Sequence, residues 1–238
     1  MQVRLDKRAR IIADGGQAYP VDLLRDHTLV QVRQKYTDDT GELTLAPGEE
    51  TTDEVTVGGR VVFVRNTGKL CFASLQDGFT ETSNGERLQI MLSKAEVGDE
   101  SLAAWKSDVD LGDHVWVRGR VVVSRRGELS IMAAEWRMAS KALRPLPTLH
   151  KELSEESRVR RRYADLVVRE ESRQMVRTRA VITRAVRRAL DERGFLEIET
   201  PILQLVHGGA AARPFNTHLN AFDIDTVSYT HLRAHETK

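Results

Sequence analysis

Four side chains in strand-like segments have the chemistry to hold a nucleotide base. Phe72 lies in LCFASLQ (70–76), where Ser74 and Gln76 share its parity, and Gln89 stands between Leu88 and Ile90 in RLQIML (87–92). Arg65 ends RVVFVR (60–65), and Glu128 opens ELSIMAAEWRM (128–138). An aromatic ring can stack a base, while amide, guanidinium and carboxylate groups can read its edges. By strand chemistry alone a phenylalanine belongs to a core more readily than to a stacking face, and an outward Gln89 is ordinary in any barrel. The four therefore matter as a set. No residue presents itself as a catalytic group or as a metal ligand.

These candidates need strands to position them, and the pattern from Glu54 supplies five. Val55 and Val57 alternate with polar residues before Gly58-Gly59 interrupts; RVVFVR continues, NTGK (66–69) turns, and LCFASLQ and RLQIML follow. A short helical piece, SLAAWKSDV, separates these from HVWVRGRVVVS (114–124) and ELSIMAAEWRM, joined by RRG (125–127) as a tight hairpin with glycine at the left-handed position. Three strands, a helix and two strands in this order and size predict a five-stranded Greek-key barrel of the OB type, with the glycines at 58, 59 and 119 at its bends. Ahead of it, residues 3–13 predict a short helix with a basic side, better packed on the next domain than set against a nucleic-acid backbone. AYPVDLLRDHTLVQVRQKY connects it onward, and residues 37–53 are polar without periodicity and predict an exposed loop.

After the barrel, the paired prolines of LRPLP (143–147) enforce an extended linker. A helix start near Ser154 follows, then a longer helix over 172–193 with Met175, Val176, Ile182, Val186, Ala189 and Leu190 on one stripe and Gly194 as its cap. FLEIET alternates apolar and acidic residues as a strand does, and Pro201 suits a strand end. The fold class is α+β. The segmentation is 1–53 for the helix and loop, 54–140 for the barrel, 141–157 for the linker, 158–225 for the start of a second domain and 226–238 for a tail.

Charge and composition narrow the partner. Lys plus Arg total 36 against 35 acidic residues, so overall balance identifies none. Between Arg158 and Arg193, however, twelve arginines face five acids, a surface suited to phosphate or simply to solvent. The single Cys71 excludes an intrachain disulfide and fits a reducing compartment. No apolar run approaches the ~20 residues that cross a bilayer, so a cytoplasmic location is expected.

The helix followed by GFLEIETPIL (194–203) resembles motif 1 of the class II aminoacyl-tRNA synthetases, and a barrel ahead of it narrows the resemblance to the lysine, aspartate and asparagine subgroup. HGGAAARPF (207–215), with LRPLP, YADL (163–166) and THLNAFDID (217–225), is similar to the bacterial-type lysyl-tRNA synthetases. The resemblance covers residues 1 to about 225. It implies an OB barrel that reads the anticodon of lysine tRNA, then the start of an antiparallel α/β catalytic domain. Phe72 would stack an anticodon base, and Arg65, Gln89 and Glu128 would contact the bases. Gly194 and Pro201 would belong to the homodimer motif, and the Gly208 backbone would approach the amino group of L-lysine, glycine permitting that close approach.

The family activates lysine with ATP and Mg²⁺ as lysyl-adenylate and transfers it to tRNA. Its ATP-clamping arginines and metal-binding acids lie beyond position 225, where TVSYTHLRAHETK (226–238) neither alternates as a strand nor resembles the family. The expectation is therefore a truncated chain whose barrel folds alone, whose 172–225 region is poorly packed, and which is inactive by itself. The alternatives are a free-standing OB-fold RNA-binding module and an aspartyl- or asparaginyl-tRNA synthetase relative, the latter opposed by the GGAAARPF loop. A fused lysine-transferring membrane enzyme is disfavoured because no membrane span precedes the module. Neither DNA nor a membrane is an expected partner.

Overall fold

The computed structural model describes residues 1–78, 85–147, 153–199, 202–205 and 215–228. The chain divides into two compact units, Met1–Ala180 and Val181–Lys238.

The first unit is built on five strands, β1 (Glu50–Thr67), β2 (Leu70–Gln76), β3 (Arg87–Ser93), β4 (His114–Val123) and β5 (Leu129–Ser140). They close as a barrel in the order β1-β2-β3-β5-β4, antiparallel except for the β3–β5 pair. The 18-residue β1 closes the ring by serving two neighbours: Glu50–Arg60 pairs with β4, and Arg60–Thr67 pairs with β2. Alternation turns Val55, Val57, Cys71, Ala73, Leu75, Leu88, Ile90, Leu92, Val115 and Val117 into one buried core. Helices α1 (Gln2–Ala13) and α2 (Leu29–Lys35) precede the barrel, and α3 (Lys94–Val97) and α4 (Asp99–Asp108) lie between β3 and β4. Trp105 of α4 is buried and meets the Trp136 ring edge-on at 5.1 Å. The hairpin between β4 and β5 turns at Gly127, whose φ is +83°, in the left-handed region expected there.

A buried ion cluster joins the barrel to its flanks. The Lys141 ammonium donates to Asp110 at 2.6 Å, to Asp113 at 2.7 Å and to the Asp108 carbonyl at 2.6 Å. Lys7 of α1 reaches Asp110 at 2.7 Å, and Arg4 donates to the Ala142 and Leu111 carbonyls. Burial pushes the Asp110 carboxyl up, but the hydrogen bonds from Lys141 and Lys7 outweigh it and hold the group below the usual carboxylate range. The basic side of α1 is thus turned to protein.

Three segments up to Glu199 differ from the sequence reading. Glu50–Asp53 belong to β1 and not to a loop, because cross-strand ion pairs replace the apolar alternation. Arg120 donates to Glu50, and Arg118 to Glu54, each at 3.0 Å. The connection after α1 carries α2, whose Thr28 and Gln31 form a reciprocal capping box. The described part of FLEIET, residues 195–199, forms no strand: it has no ladder partner among the described residues, and Phe195, Leu196 and Ile198 are exposed.

After the barrel come α5 (Glu155–Arg160), α6 (Arg162–Val168) and α7 (Glu170–Asp191). The buried Asp165 accepts from Ser172 at 2.5 Å and pairs with Arg162 at 3.0 Å. The second unit holds the end of α7 and a hairpin of β6 (Phe215–Leu219) with β7 (Ile224–Ser228). Strand β7 runs through Thr226–Ser228, where the sequence showed no alternation; pairing with β6, rather than side-chain pattern, holds it. Gly194 follows α7 with φ +82° and donates to the Asp191 carbonyl. Pro201 and Gly208 lie outside the described residues.

Two predictions follow from the barrel's geometry. A Cβ at Gly119 would sit 2.0 Å from the Met132 carbonyl oxygen, whereas one at Gly58 meets nothing nearer than 3.8 Å. Gly119→Ala should lower stability by about 3 kcal/mol or more and Gly58→Ala by less than about 1 kcal/mol, read from urea midpoints. At the base of β4, burial and then the Arg60 charge push His114 from 6.5 down to about 4, against a weaker opposite pull from Asp113. The folded imidazole stays neutral while the unfolded one gains a proton below 6.5. Stability should therefore fall as pH drops from 6.5 towards 4. His114→Asn should flatten that slope, and an unchanged slope would show that His114 does not cause it.

Candidate nucleic-acid interface

The outer face of β1, β2 and β3 gathers the side chains with base-binding chemistry, and a β-bulge determines which ones arrive. Along the first half of β1 the odd-numbered residues Val55, Val57 and Val61 point into the core. Val61 pairs with Leu75, but the next pair is Phe63 with Ser74, so Val62 is an extra residue. Val62 is buried beside Val61, and from there the parity of the strand is exchanged. Phe63 and Arg65 consequently face outward with Phe72 and Ser74 of β2 and with Gln89 and Met91 of β3.

Register then brings these groups together. Arg65 pairs with Phe72 across β1–β2, and its guanidinium lies 4.7 Å from the centre of the Phe72 ring. This cation–π contact holds one face of the ring. Ser74 pairs with Gln89 across β2–β3, and Gln89 lies opposite Ser130 of β5. The Gln89 amide donates to the buried Ser130 hydroxyl at 2.8 Å, which donates to the Glu128 carbonyl at 2.9 Å. That chain orients the amide and leaves its carbonyl oxygen without a protein partner among the described residues. Glu128 is placed by the β4–β5 hairpin: its backbone N–H donates to the Ser124 hydroxyl at 3.0 Å. Its carboxylate lies 3.8 Å from the Arg33 guanidinium of α2, which sits closer to Glu86, at 2.7 Å.

Arg65, Phe72, Gln89 and Glu128 thus line a single groove of about 1220 Å³. The same groove is lined by residues that sequence reasoning did not single out, chiefly Phe63, Arg87, Arg125 and Arg126. For Arg125 and Arg126 a signal existed, two adjacent arginines in a hairpin at the barrel rim. For Phe63 there was none, because RVVFVR gives no sign of where alternation breaks. Arg118 and Arg120 on β4 are each held by two carboxylates, Glu54 with Glu135 and Glu50 with Glu96. The side chains of Arg125 and Arg126 have no ion pair or hydrogen bond among the described residues, so their charge is available to an anion. Gly194, in the turn after α7, is not among the residues of this groove.

An aromatic platform, edge-reading polar groups and uncompensated arginines on an OB-type barrel can bind a single-stranded nucleic acid. Comparison with known proteins points the same way. Residues 55–139 match the family of OB-fold nucleic acid binding domains, and residues 154–234 match the class II tRNA synthetases of the D, K and N group. The chain is 60% identical over 225 residues to the lysine–tRNA ligase of Kineococcus radiotolerans, covering 94% of this chain and 43% of that protein. It is 57% identical over 224 residues to the lysine–tRNA ligase of Mycolicibacterium gilvum, covering 94% of this chain and 42% of that protein. It is also 41% identical over 226 residues to the lysylphosphatidylglycerol biosynthesis bifunctional protein LysX of Rhodococcus jostii, covering 18% of that protein. The chain spans about two fifths of the length of the lysine–tRNA ligases it matches. The chain thus carries an OB-fold domain followed by the start of a class II catalytic domain, and over 94% of its length it is similar to part of the lysine–tRNA ligases.

Proposed function

We propose that the barrel reads the anticodon loop of lysine tRNA, as part of an enzyme that activates L-lysine with ATP and transfers it to that tRNA. The observation that carries this reading is the convergence of Phe72, Arg65, Gln89 and Glu128 in one groove. Phe72 stacks a base with Arg65 behind it. The oriented Gln89 amide and the Glu128 carboxylate take hydrogen bonds from base edges, and a wrong base leaves them unpaired.

The catalytic chemistry is proposed for the whole protein. Family resemblance supplies the expectation of ATP and Mg²⁺. Among the described residues no group of three or more His, Cys, Asp or Glu side chains is gathered to hold a metal, so no step through Mg²⁺ is assigned to them. The Gly208 backbone is proposed to approach the lysine amino group, with Gly194 and Pro201 at a homodimer interface. The exposed stripe Ile182, Val186 and Leu190 on α7 supports the dimer, since apolar side chains at this spacing ask for a partner surface. A cytoplasmic location completes the reading. Among the described residues no helix is long and apolar enough to cross a membrane.

Binding to a labelled 17-nucleotide stem-loop with the lysine anticodon UUU tests the reading, by fluorescence anisotropy. The 238-residue chain should prefer it at least about tenfold over a scrambled loop, and over loops with aspartate or asparagine anticodons. Phe72→Ala should weaken binding by about 1–3 kcal/mol. Equal affinity for all loops would favour a general single-strand binder instead. In the same assay, Arg125→Ala with Arg126→Ala should lower the slope of log affinity against log salt by about 1.4, from ~0.7 per single-strand phosphate contact, and leave the preference among loops unchanged.

A further inference from the structure

Phe63 is a large aromatic residue, 53% exposed, in the middle of a strand whose preceding neighbours Val61 and Val62 are buried. The bulge that turns it outward also turns Arg65 outward, and Arg65 then meets Phe72. Phe63 itself pairs with the small Ser74, so no bulky cross-strand partner covers its ring from β2. Among the described residues the ring–ring pair is Trp105 with Trp136, so Phe63 and Phe72 are not packed on each other. Both rings line the same groove.

Their relative placement is fixed by register. Phe63 lies opposite Ser74, and Phe72 lies opposite Arg65, so the two phenylalanines are diagonal neighbours. In an antiparallel pair that diagonal is about 7–8 Å. Bases stacked within a strand rise only about 3.4 Å. Two bases on these two rings are therefore separated from each other and splayed, as in recognition of unstacked single-stranded loops. The arginine pair at 125–126 lines the same groove, where it can meet the phosphates of such a strand.

We propose that Phe63 is a second stacking platform, which takes the nucleotide adjacent to the one stacked on Phe72, so that the groove holds two consecutive, splayed bases. This rests on the reading of the groove as an anticodon-loop site.

The test uses the 238-residue chain, the UUU stem-loop, and versions of that stem-loop with one abasic site at each anticodon position. Phe63→Ala should weaken binding of the intact loop roughly 5- to 20-fold, and Phe63→Tyr should keep it within about twofold. The Phe63→Ala loss should vanish on one abasic loop, and the Phe72→Ala loss on the loop abasic at the neighbouring position. Phe63→Leu keeps the apolar bulk without a ring. It should bind as weakly as Phe63→Ala at unchanged urea midpoint, which separates stacking from folding. Full binding by Phe63→Ala and Phe63→Leu, with Phe72→Ala weakened, would overturn the second platform and leave the interface standing. Loss of both effects on the same abasic loop would also overturn it. If neither Phe63→Ala nor Phe72→Ala weakens binding, the interface reading itself fails.

Discussion

The single inserted residue at Val62 is the constraint on which the groove depends. Side chains in a strand alternate, so without it Phe63 and Arg65 would continue the inward series of Val55, Val57 and Val61. An arginine driven into that apolar core would have neither water nor a carboxylate, a cost of several kcal/mol. With the bulge, two valines enter the core in succession and the charged and aromatic residues after them leave it. The bulge sits where β1 passes from β4 to β2 as its partner, which is where the strand must bend for the barrel to close. Closure of the barrel and exposure of Phe63 and Arg65 are thus one event in the backbone.

That backbone is anchored to the buried ion cluster. The Val61 N–H donates to the Asp113 carbonyl at 2.8 Å, and the Val61 carbonyl accepts from Gly112 at 2.7 Å. The Asp113 carboxylate in turn accepts from Lys141, from the Ala142 N–H and from the Asp110 N–H. One residue therefore holds the strand through its main chain and the chain beyond β5 through its side chain. Removing one member of such a buried set leaves charge uncompensated, at about 3–5 kcal/mol. Unlike the arginines at 125 and 126, the charges of this cluster are spent within the protein, and so carry structure rather than recognition.

The sequence made legible whatever is encoded locally. Period-two alternation located β2, β3, β4 and β5, and turn chemistry located Gly127. Gln89 could be assigned an outward face because β3 is regular, buried at every second position, whereas strand chemistry alone favoured a core Phe72 and only the family resemblance turned it outward. What was not legible depends on pairing. RVVFVR is apolar almost throughout, so the place where its alternation breaks is set by Asp113 and Leu75 and not by its own residues. Phe63 was therefore indistinguishable from a core residue. FLEIET shows the converse, a correct strand pattern with no neighbouring strand among the described residues to complete its ladder. Glu50–Asp53 open β1 through an ion pair from Arg120 to Glu50 and a hydrogen bond from the Thr51 hydroxyl to the Val121 carbonyl, contacts to β4 that no hydrophobic pattern announces.

The chemistry of the groove separates affinity from selectivity. Aromatic rings stack any base, because every base has a π-face, so a base stacked on Phe72, as proposed, adds binding that is nearly blind to sequence. Discrimination on the proposed reading falls to groups fixed before the ligand arrives. Gln89 spends a donor on Ser130 and keeps its acceptor free; Glu128, an acceptor when ionised, is 3.8 Å from Arg33 and so not saturated by a short hydrogen bond. The groove thus offers acceptors at two fixed points. Such a site favours a base edge that presents an N–H. It disfavours an edge that presents a lone pair, because two acceptors facing each other in a partly desolvated groove leave both unpaired. Uracil carries its donor between two acceptors on that edge, whereas an unprotonated cytosine presents a ring-nitrogen lone pair at the same position. The uncompensated arginines remain for the phosphates of the strand. On the proposed reading, selection among bases depends on which hydrogen-bonding capacities the protein has already used; uracil N3–H, guanine N1–H and the amino groups of cytosine and adenine each meet these acceptors from a different position on the edge.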